Sequence, residues 1–373
     1  MTGMSKTCPP YERNMPKATN IESLPDDVLF EILLRVPAQH LYDSSRLVCH
    51  KWFNMIKTRK FAHSHFQRST PGLLAVDLLK IEHTFMTMQN GRIEMSKWSY
   101  GNSHIVESSC NGLVLEVDLN LKRYITNHVT KQRFALPTLL SENHVMASQW
   151  FALAYVASST SYKVVGVSYP DVLDCDLVCA IMTVGVDKDW RRRVSTQHLS
   201  LKAKTLFRGS PLITPGFVHW ARKDYFECVL TMNVVSETIT QIPGPCLRDD
   251  GKSVWCRYLP MGNYLSMFIG RSEFSWEVWK MKPETGEWTK MPSIELEPQK
   301  VPKYLFIEFE KRRFLEHMLV PIGWSNSHEV LFFNVCLHTV AYNVRTREID
   351  SCKLLDTMLN LFLEHRRSLV WLD

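Results

Sequence analysis

Five short stretches carry side chains whose types could do chemistry, and spacing decides what each can do. GPCLRDDGKS (244–253) has the glycines, lysine and serine of a loop that cradles nucleotide phosphates. Six residues separate Gly244 from Gly251 where that loop requires four, and a strand rather than a helix is expected to follow. Cys175 and Cys179 have a zinc-like separation, yet no second Cys/His pair stands at a matching one, and DCDLVCA reads as a buried strand or turn. His63 and His65 lie on an amphipathic stretch without a carboxylate companion. GWSNS (323–327) lacks the final glycine of a nucleophile elbow. WRRR (190–193) could touch phosphate, but arginines on a strand edge are ordinarily solvated. No catalytic residue, metal ligand or cofactor is expected from these stretches, which leaves binding as the function to look for.

The whole chain agrees with a binding protein. Its 373 residues, 45% hydrophobic and 22% charged, suffice for one large domain or two smaller ones. The first twenty residues are polar and broken by proline, and read as a loose arm (1–20) rather than a signal or a membrane span. No later run approaches the roughly 18 apolar residues of a membrane helix. Ten cysteines scattered along such a chain are expected as reduced thiols, in the cytoplasm or the nucleus. The net charge of +6 is uneven: through residue 70 ten Lys/Arg face six Asp/Glu. The basic bias around 46–68 suits an acidic protein partner, and less well a nucleic acid.

The most concentrated apolar stretch is SLPDDVLFEILLRVPAQHLYDSSRLVCHKWFNMI (23–56). Pro25 suits a first helical position and Asp26 and Asp27 suit the positive end of a helix dipole, so a helix starts there and stops at Pro37. A second helix is expected from Ala38 to Val48 and a third from His50 to Ile56. The first carries Val28, Leu29, Phe30, Ile32, Leu33, Leu34 and Val36, more apolar surface than one stripe needs. A module of this size is marginal alone, so something must cover the surplus.

The run Leu24-Pro25-Asp26-Asp27-Val28-Leu29 with Ile32-Leu33, then Val36-Pro37, Leu41, and Arg46-Leu47-Val48-Cys49-His50-Lys51-Trp52-Phe53 with Met55-Ile56, resembles an F-box. His50 stands where that family often has Lys or Arg, leaving the charge to Lys51. The resemblance implies a module (21–68) that docks the Skp-type adaptor, and through it Cullin, of a Skp–Cullin–F-box ubiquitin ligase. The positions matching the family's adaptor contacts are Leu24, Pro25, Leu29, Ile32, Leu33, Leu41, Val48 and Trp52. Some of these must also be core, with Trp52 and Val48 placed to serve both roles.

Beyond residue 70 the texture becomes short β-rich runs broken by Gly, Pro, Asn and Ser. YITNHVTKQRFALP (124–137), LTMNVVSETITQIP (230–243), VWKMKPETGEWTKMP (278–292) and VAYNVRTREID (340–350) repeat one pattern of strand, Thr or Ser turn, and strand. Aligning Thr130, Ser236, Thr285 and Thr346 gives a period of roughly 50 residues, with a degenerate copy expected near 183 in TVGVDKDWRRRVSTQHL. Such a period predicts a β-propeller whose repeats each end in a hairpin turned by Asn and Thr side chains. ESSCNGLVLE (107–116) followed by RYITNHVTKQRFALP resembles the opening of the F-box-associated, Kelch-like domain of plant F-box proteins, with His128 in place of a frequent Pro.

The expected architecture is therefore α+β and multidomain: a small three-helix F-box followed by an all-β propeller (70–373). Six blades are expected at 72–98, 104–137, 150–199, 206–243, 256–292 and 303–350, with seven as the alternative. SLVWL (368–372) is expected to close the first blade, and LLDTMLNLFLEH (354–365) to form a short helix on the ring. What the resemblances imply is a non-catalytic receptor that brings an unidentified target protein to ubiquitination. A propeller pocket for a small molecule or glycan, bordered by Trp150, Trp220, Trp255 and Trp324, is the alternative. A nucleic-acid regulator would need the basic residues of 46–68 and 190–193 on one face.

Overall fold

The computed structural model describes residues 24–98, 104–139, 147–170, 177–223, 225–245, 255–297, 301, 319–325, 329–335, 337–353 and 360–370. The N-terminal arm, Cys175, residues 246–254, YLFIEF (304–309), residues 354–359 and the last three positions lie outside this range.

The helices come first. Helix α1 (Asp26–Leu33) starts one residue after Pro25, whose φ of −54° leads into it, with Asp26 and Asp27 in the first turn. Helix α2 (Ala38–Asp43) is shorter than expected; a single 3-10 turn, Ser45–Leu47, takes over its second half. Helix α3 (His50–Ile56) follows, and the amphipathic stretch beyond it forms a further helix, α4 (Arg59–Arg68), capped by Thr58 Oγ1 accepting from Phe61 N at 3.1 Å.

Six antiparallel sheets then close a ring. Blade one holds β1 (Gly72–Asp77), β2 (Glu82–Gln89) and β3 (Arg92–Lys97); blade two holds β4 (His104–Cys110), β5 (Leu113–Asp118), β6 (Arg123–Asn127) and β7 (Gln132–Ala135). Blade three holds β8 (Ala147–Val156), β9 (Ser161–Pro170), β10 (Val178–Thr183) and β11 (Arg192–Arg193). Helix α5 (Leu201–Lys204) and the 3-10 turn Thr205–Arg208 precede blade four, which is β12 (Leu212–Thr214), β13 (Phe217–Arg222), β14 (Tyr225–Asn233) and β15 (Thr238–Pro243). Blade five runs β16 (Cys256–Met261), β17 (Tyr264–Ser272), β18 (Ser275–Lys282), β19 (Glu287–Lys290), with β20 (Ile294–Glu295) also on β18. Blade six is β21 (Val320–Ser325), β22 (Val330–Val335), β23 (His338–Asn343) and β24 (Ile349–Lys353).

The ring closes differently from the expectation. β25 (Asn360–His365) pairs antiparallel with β1 from Gly72↔His365 to Asp77↔Asn360 and is the innermost strand of blade one. The closing strand is therefore 360–365 and not 368–372, and no helix occupies its span. Leu361 and Leu363 pack in the seam with blade two while Phe362 packs in the seam with blade six. An apolar run filling both seams mimics helical spacing, because neither face is left for polar residues.

Each blade buries both faces of its middle strands against its neighbours. Six separate apolar clusters result, one in every seam. The outermost strands are more exposed and can alternate, as in β7, where part-buried Gln132 and Phe134 alternate with exposed Arg133 and Ala135. The repeated turn is made as its residues dictate. Asn127 Oδ1 accepts from Val129 N and Thr130 N at 2.9 and 3.2 Å, and Asn233 Oδ1 from Val235 N and Ser236 N at the same distances. Asn343 Oδ1 accepts from Arg345 N and Thr346 N, both at 2.9 Å. The residue after each turn Thr or Ser has positive φ: Lys131, Glu237, Arg347 and, in blade five, Gly286.

Candidate functional site

The helical module buries its own leucines. Leu29, Leu33 and Leu41 are fully buried with Ile56 and Phe61, and two residues of the ring, Val129 and Leu369, complete this cluster. The surplus apolar surface is thus covered in part by this chain itself. Leu369 arrives on a tail anchored by Asn127, whose Nδ2 donates to Ser368 O at 3.2 Å and Val370 O at 2.7 Å. Arg366 on the same tail stands 5.6 Å over the Phe66 ring of α4.

Of the eight expected docking residues, the fold seals three and leaves five with solvent access of different degrees. Pro25 is exposed, Ile32 is 40% and Val48 56% exposed, and Leu24 is half-buried. Trp52 is partly buried against the module's core, whereas Val48 belongs to no core cluster. Two residues not singled out join the exposed set: Val28, 42% exposed and one turn before Ile32, and Leu47, 69% exposed beside Val48. Their signal was in the sequence, since Val28 shares the face of Ile32 at i, i+4. The ring's part in the core had no such signal.

Polar contacts lock this surface in place. Lys51 Nζ donates to Leu24 O at 3.0 Å and pairs with Asp26 at 2.8 Å, fastening α3 to the start of α1. Arg68 grips Glu31 through two bonds of 2.7 and 3.2 Å. His65 Nε2 lies 2.8 Å from Val36 O, and burial lowers its pKa, so it is a structural residue of the core.

The ring encloses a channel with two cavities. One, of about 390 Å³, lies under α4: Phe66 and Gln67 line it with Asn111, Tyr155, Asn263 and Arg366. The other, of about 380 Å³, lies away from α4, between the start of β16 and the β13–β14 turn with Arg222 and Lys223. Ser109, Ile213 and Glu364 line both. In the outer cavity Glu107 is held bidentately by Arg123 at 2.9 and 3.2 Å, and burial raises its pKa against that guanidinium. Burial likewise raises Glu364, with Arg366 opposing, and lowers Arg257. Neither Glu364 nor Arg257 has a hydrogen bond or ion pair among the described residues.

Cys175 and most of GPCLRDDGKS (246–253) lie outside the described residues; Ser325, Cys179 and Arg191 have structural contacts. Ser325 Oγ donates to Pro71 O at 2.7 Å, and Cys179 is buried, its thiol pushed up to about 12 by burial. Arg191 pairs with Asp187 and Glu237 at 3.0 Å each. Trp220 and Trp324 are core residues. Among the described residues no group of three or more His, Cys, Asp or Glu is poised to hold a metal ion. No described helix is long and apolar enough to cross a membrane.

Comparison with known proteins bears on both halves. Residues 21–64 match the F-box domain. An F-box only protein of Arabidopsis thaliana is 31% identical over 103 residues, 28% of this chain and 25% of the relative. Two further F-box proteins of the same plant are 22% identical over 270 residues (65% of this chain, 67% of the relative) and 30% identical over 156 (39% and 45%). The chain thus spans between a quarter and two thirds of these relatives' lengths. Among solved structures an oligogalacturonate lyase with manganese is similar over 74% of this chain and 75% of its own, at 10% identity and a TM-score of 0.42. Residues 21–64 are therefore an F-box domain, set against a C-terminal six-bladed β-propeller in a chain related to Arabidopsis F-box proteins.

Proposed function

We propose that this chain is a substrate receptor of a Skp–Cullin–F-box ubiquitin ligase. Residues 21–68 dock a Skp-type adaptor and, through it, Cullin; residues 70–373, a propeller of the F-box-associated, Kelch-like type, hold a target protein. The observation that carries this is the apolar set Val28, Ile32, Leu47 and Val48, 40–69% exposed on a module in which Leu29, Leu33, Leu34 and Leu41 are sealed. Isolated exposed leucines are ordinary, but four within 21 residues of an F-box, together with Pro25, form a surface suited to an apolar partner. Lys57, Arg59 and Lys60 beside it are exposed and suit an acidic adaptor.

In this reading the docking contacts are Pro25, Ile32, Val48 and the edge of Trp52, joined by Val28 and Leu47. Leu29, Leu33 and Leu41 act from beneath, by shaping the module, and Leu24 by its carbonyl's bond to Lys51. The chain performs no chemistry itself. It raises the local concentration of a target lysine near the charged ubiquitin carrier, in the cytoplasm or nucleus.

The test is adaptor binding by the full chain. Leu47→Asp/Val48→Asp puts two charges where apolar contact is expected, and should weaken a purified Skp-type adaptor by about a hundredfold or more while circular dichroism and melting stay unchanged. Undiminished binding by this folded variant overturns the proposal.

A further inference from the structure

We propose that the outer cavity of the propeller channel binds a small organic monocarboxylate, its carboxylate on the Arg257 guanidinium and its apolar body against Leu73, Phe362 and Trp324. The cavity comes first. Its volume of about 380 Å³ lies within the range of small-molecule sites, and the strands that wall it belong to five of the six blades, so it is rigid and preformed.

The cation comes second. Arg257 sits on the inner strand β16 between the buried Cys256 and Tyr258, and carries five donors in a planar fork. Among the described residues, no acceptor is bonded to it. Glu107, in the same cavity, is taken by Arg123, and Glu364 forms no ion pair with it. A largely buried guanidinium without an acceptor is costly to a fold, and a bound anion would remove that cost. The planar fork matches a carboxylate with two parallel bonds.

The acids choose among anions. Glu364 and Glu107 line the cavity, so a dianionic phosphate would meet like charge, whereas a monoanion meets less. Burial raises the Glu364 carboxyl while Arg366 opposes that rise, so Glu364 repels a monoanion less than a fully solvated carboxylate would. This site is independent of the proposed adaptor surface, none of whose residues lines the cavity. Failure of one reading leaves the other untouched.

The experiment titrates the full chain with 4-phenylbutyrate, its uncharged amide and phenyl phosphate by calorimetry. The carboxylate should bind with a Kd of about 1 mM or tighter, the affinity that a ligand of roughly twelve heavy atoms reaches at ordinary efficiency. The amide and the phosphate ester should each bind at least about tenfold more weakly. Arg257→Gln should abolish carboxylate binding and, by removing an unpaired buried charge, leave the melting temperature equal or higher. Lys188→Gln, at an exposed position outside the cavity, should keep binding within about twofold. Equal binding of the amide or the phosphate ester, retention of binding in Arg257→Gln, or no carboxylate binding at ten times that concentration each overturns the proposal.

Discussion

Leu369→Ala should detach the helical module from the ring. Leu369 is fully buried in the cluster formed with Leu29, Leu33, Leu41, Ile56 and Phe61, although it comes from the far end of the chain. Truncating a buried leucine costs about 2–5 kcal/mol, and where neighbouring side chains close into the gap the cost falls in the lower half, about 2–3 kcal/mol. What this does to melting depends on the size of the unit that melts. With an unfolding entropy of about 2.1 cal/mol/K per residue, the whole chain unfolding together would shift by only about 3 °C, whereas helices melting as a unit of about 45 residues would shift by tens of degrees. A helical module so small is marginal alone, so the second outcome is expected: a separate, earlier transition of the helices. Calorimetry resolves it, and amide hydrogen exchange locates it at α1 to α4. Leu201→Ala, at a site 83% exposed, is the control and should change stability by less than about 0.5 kcal/mol. If Leu369→Ala costs under about 1 kcal/mol and exchange in the helices is unchanged, the ring does not hold the F-box in place and the account of the shared core fails.

Two further outcomes follow from the turns and the buried histidines. Asn343→Ala removes an exposed turn that caps Arg345 N and Thr346 N, and should cost about 1 kcal/mol in a urea titration. Asn127→Ala removes the same turn and also the bonds to Ser368 O and Val370 O at a buried site, and should cost about 2–4 kcal/mol. Similar costs for the two would refute the tail's anchoring role. Burial lowers His83 to about 4, and His219 and His365 to about 3, the last lowered further by the neighbouring charges of His128 and Arg367. Each is neutral in the fold but takes a proton near 6.5 when unfolded, so its stabilising contribution is complete above that pH and is lost as pH falls toward 3–4. At pH 5 each should have lost about 2 kcal/mol relative to pH 8. His219→Asn should flatten this dependence of the urea midpoint, and a parent chain equally stable at both pH values would contradict the burial of these rings.

Local rules made much of this protein legible in its residues. Pro25 with two aspartates sets a helix start, and Asn127, Asn233 and Asn343 with their following Thr or Ser set hairpin turns, because these preferences act within four residues. The repeat period sets a propeller, since one blade cannot bury its own two faces. Three matters belonged to tertiary structure. Leu29, Leu33 and Leu41 look the same in sequence as Ile32 and Val48, and only the packing of α1 against α4, Val129 and Leu369 sealed the first three and left the others out. Arg257, without an ion pair among the described residues, became visible as a cavity residue only when five blades converged around it. The closing strand was misread for a related reason. Residues 361–363 are apolar on both sides because an innermost strand is covered by two seams, and alternation, the signal by which a strand announces itself, exists only where one face meets water.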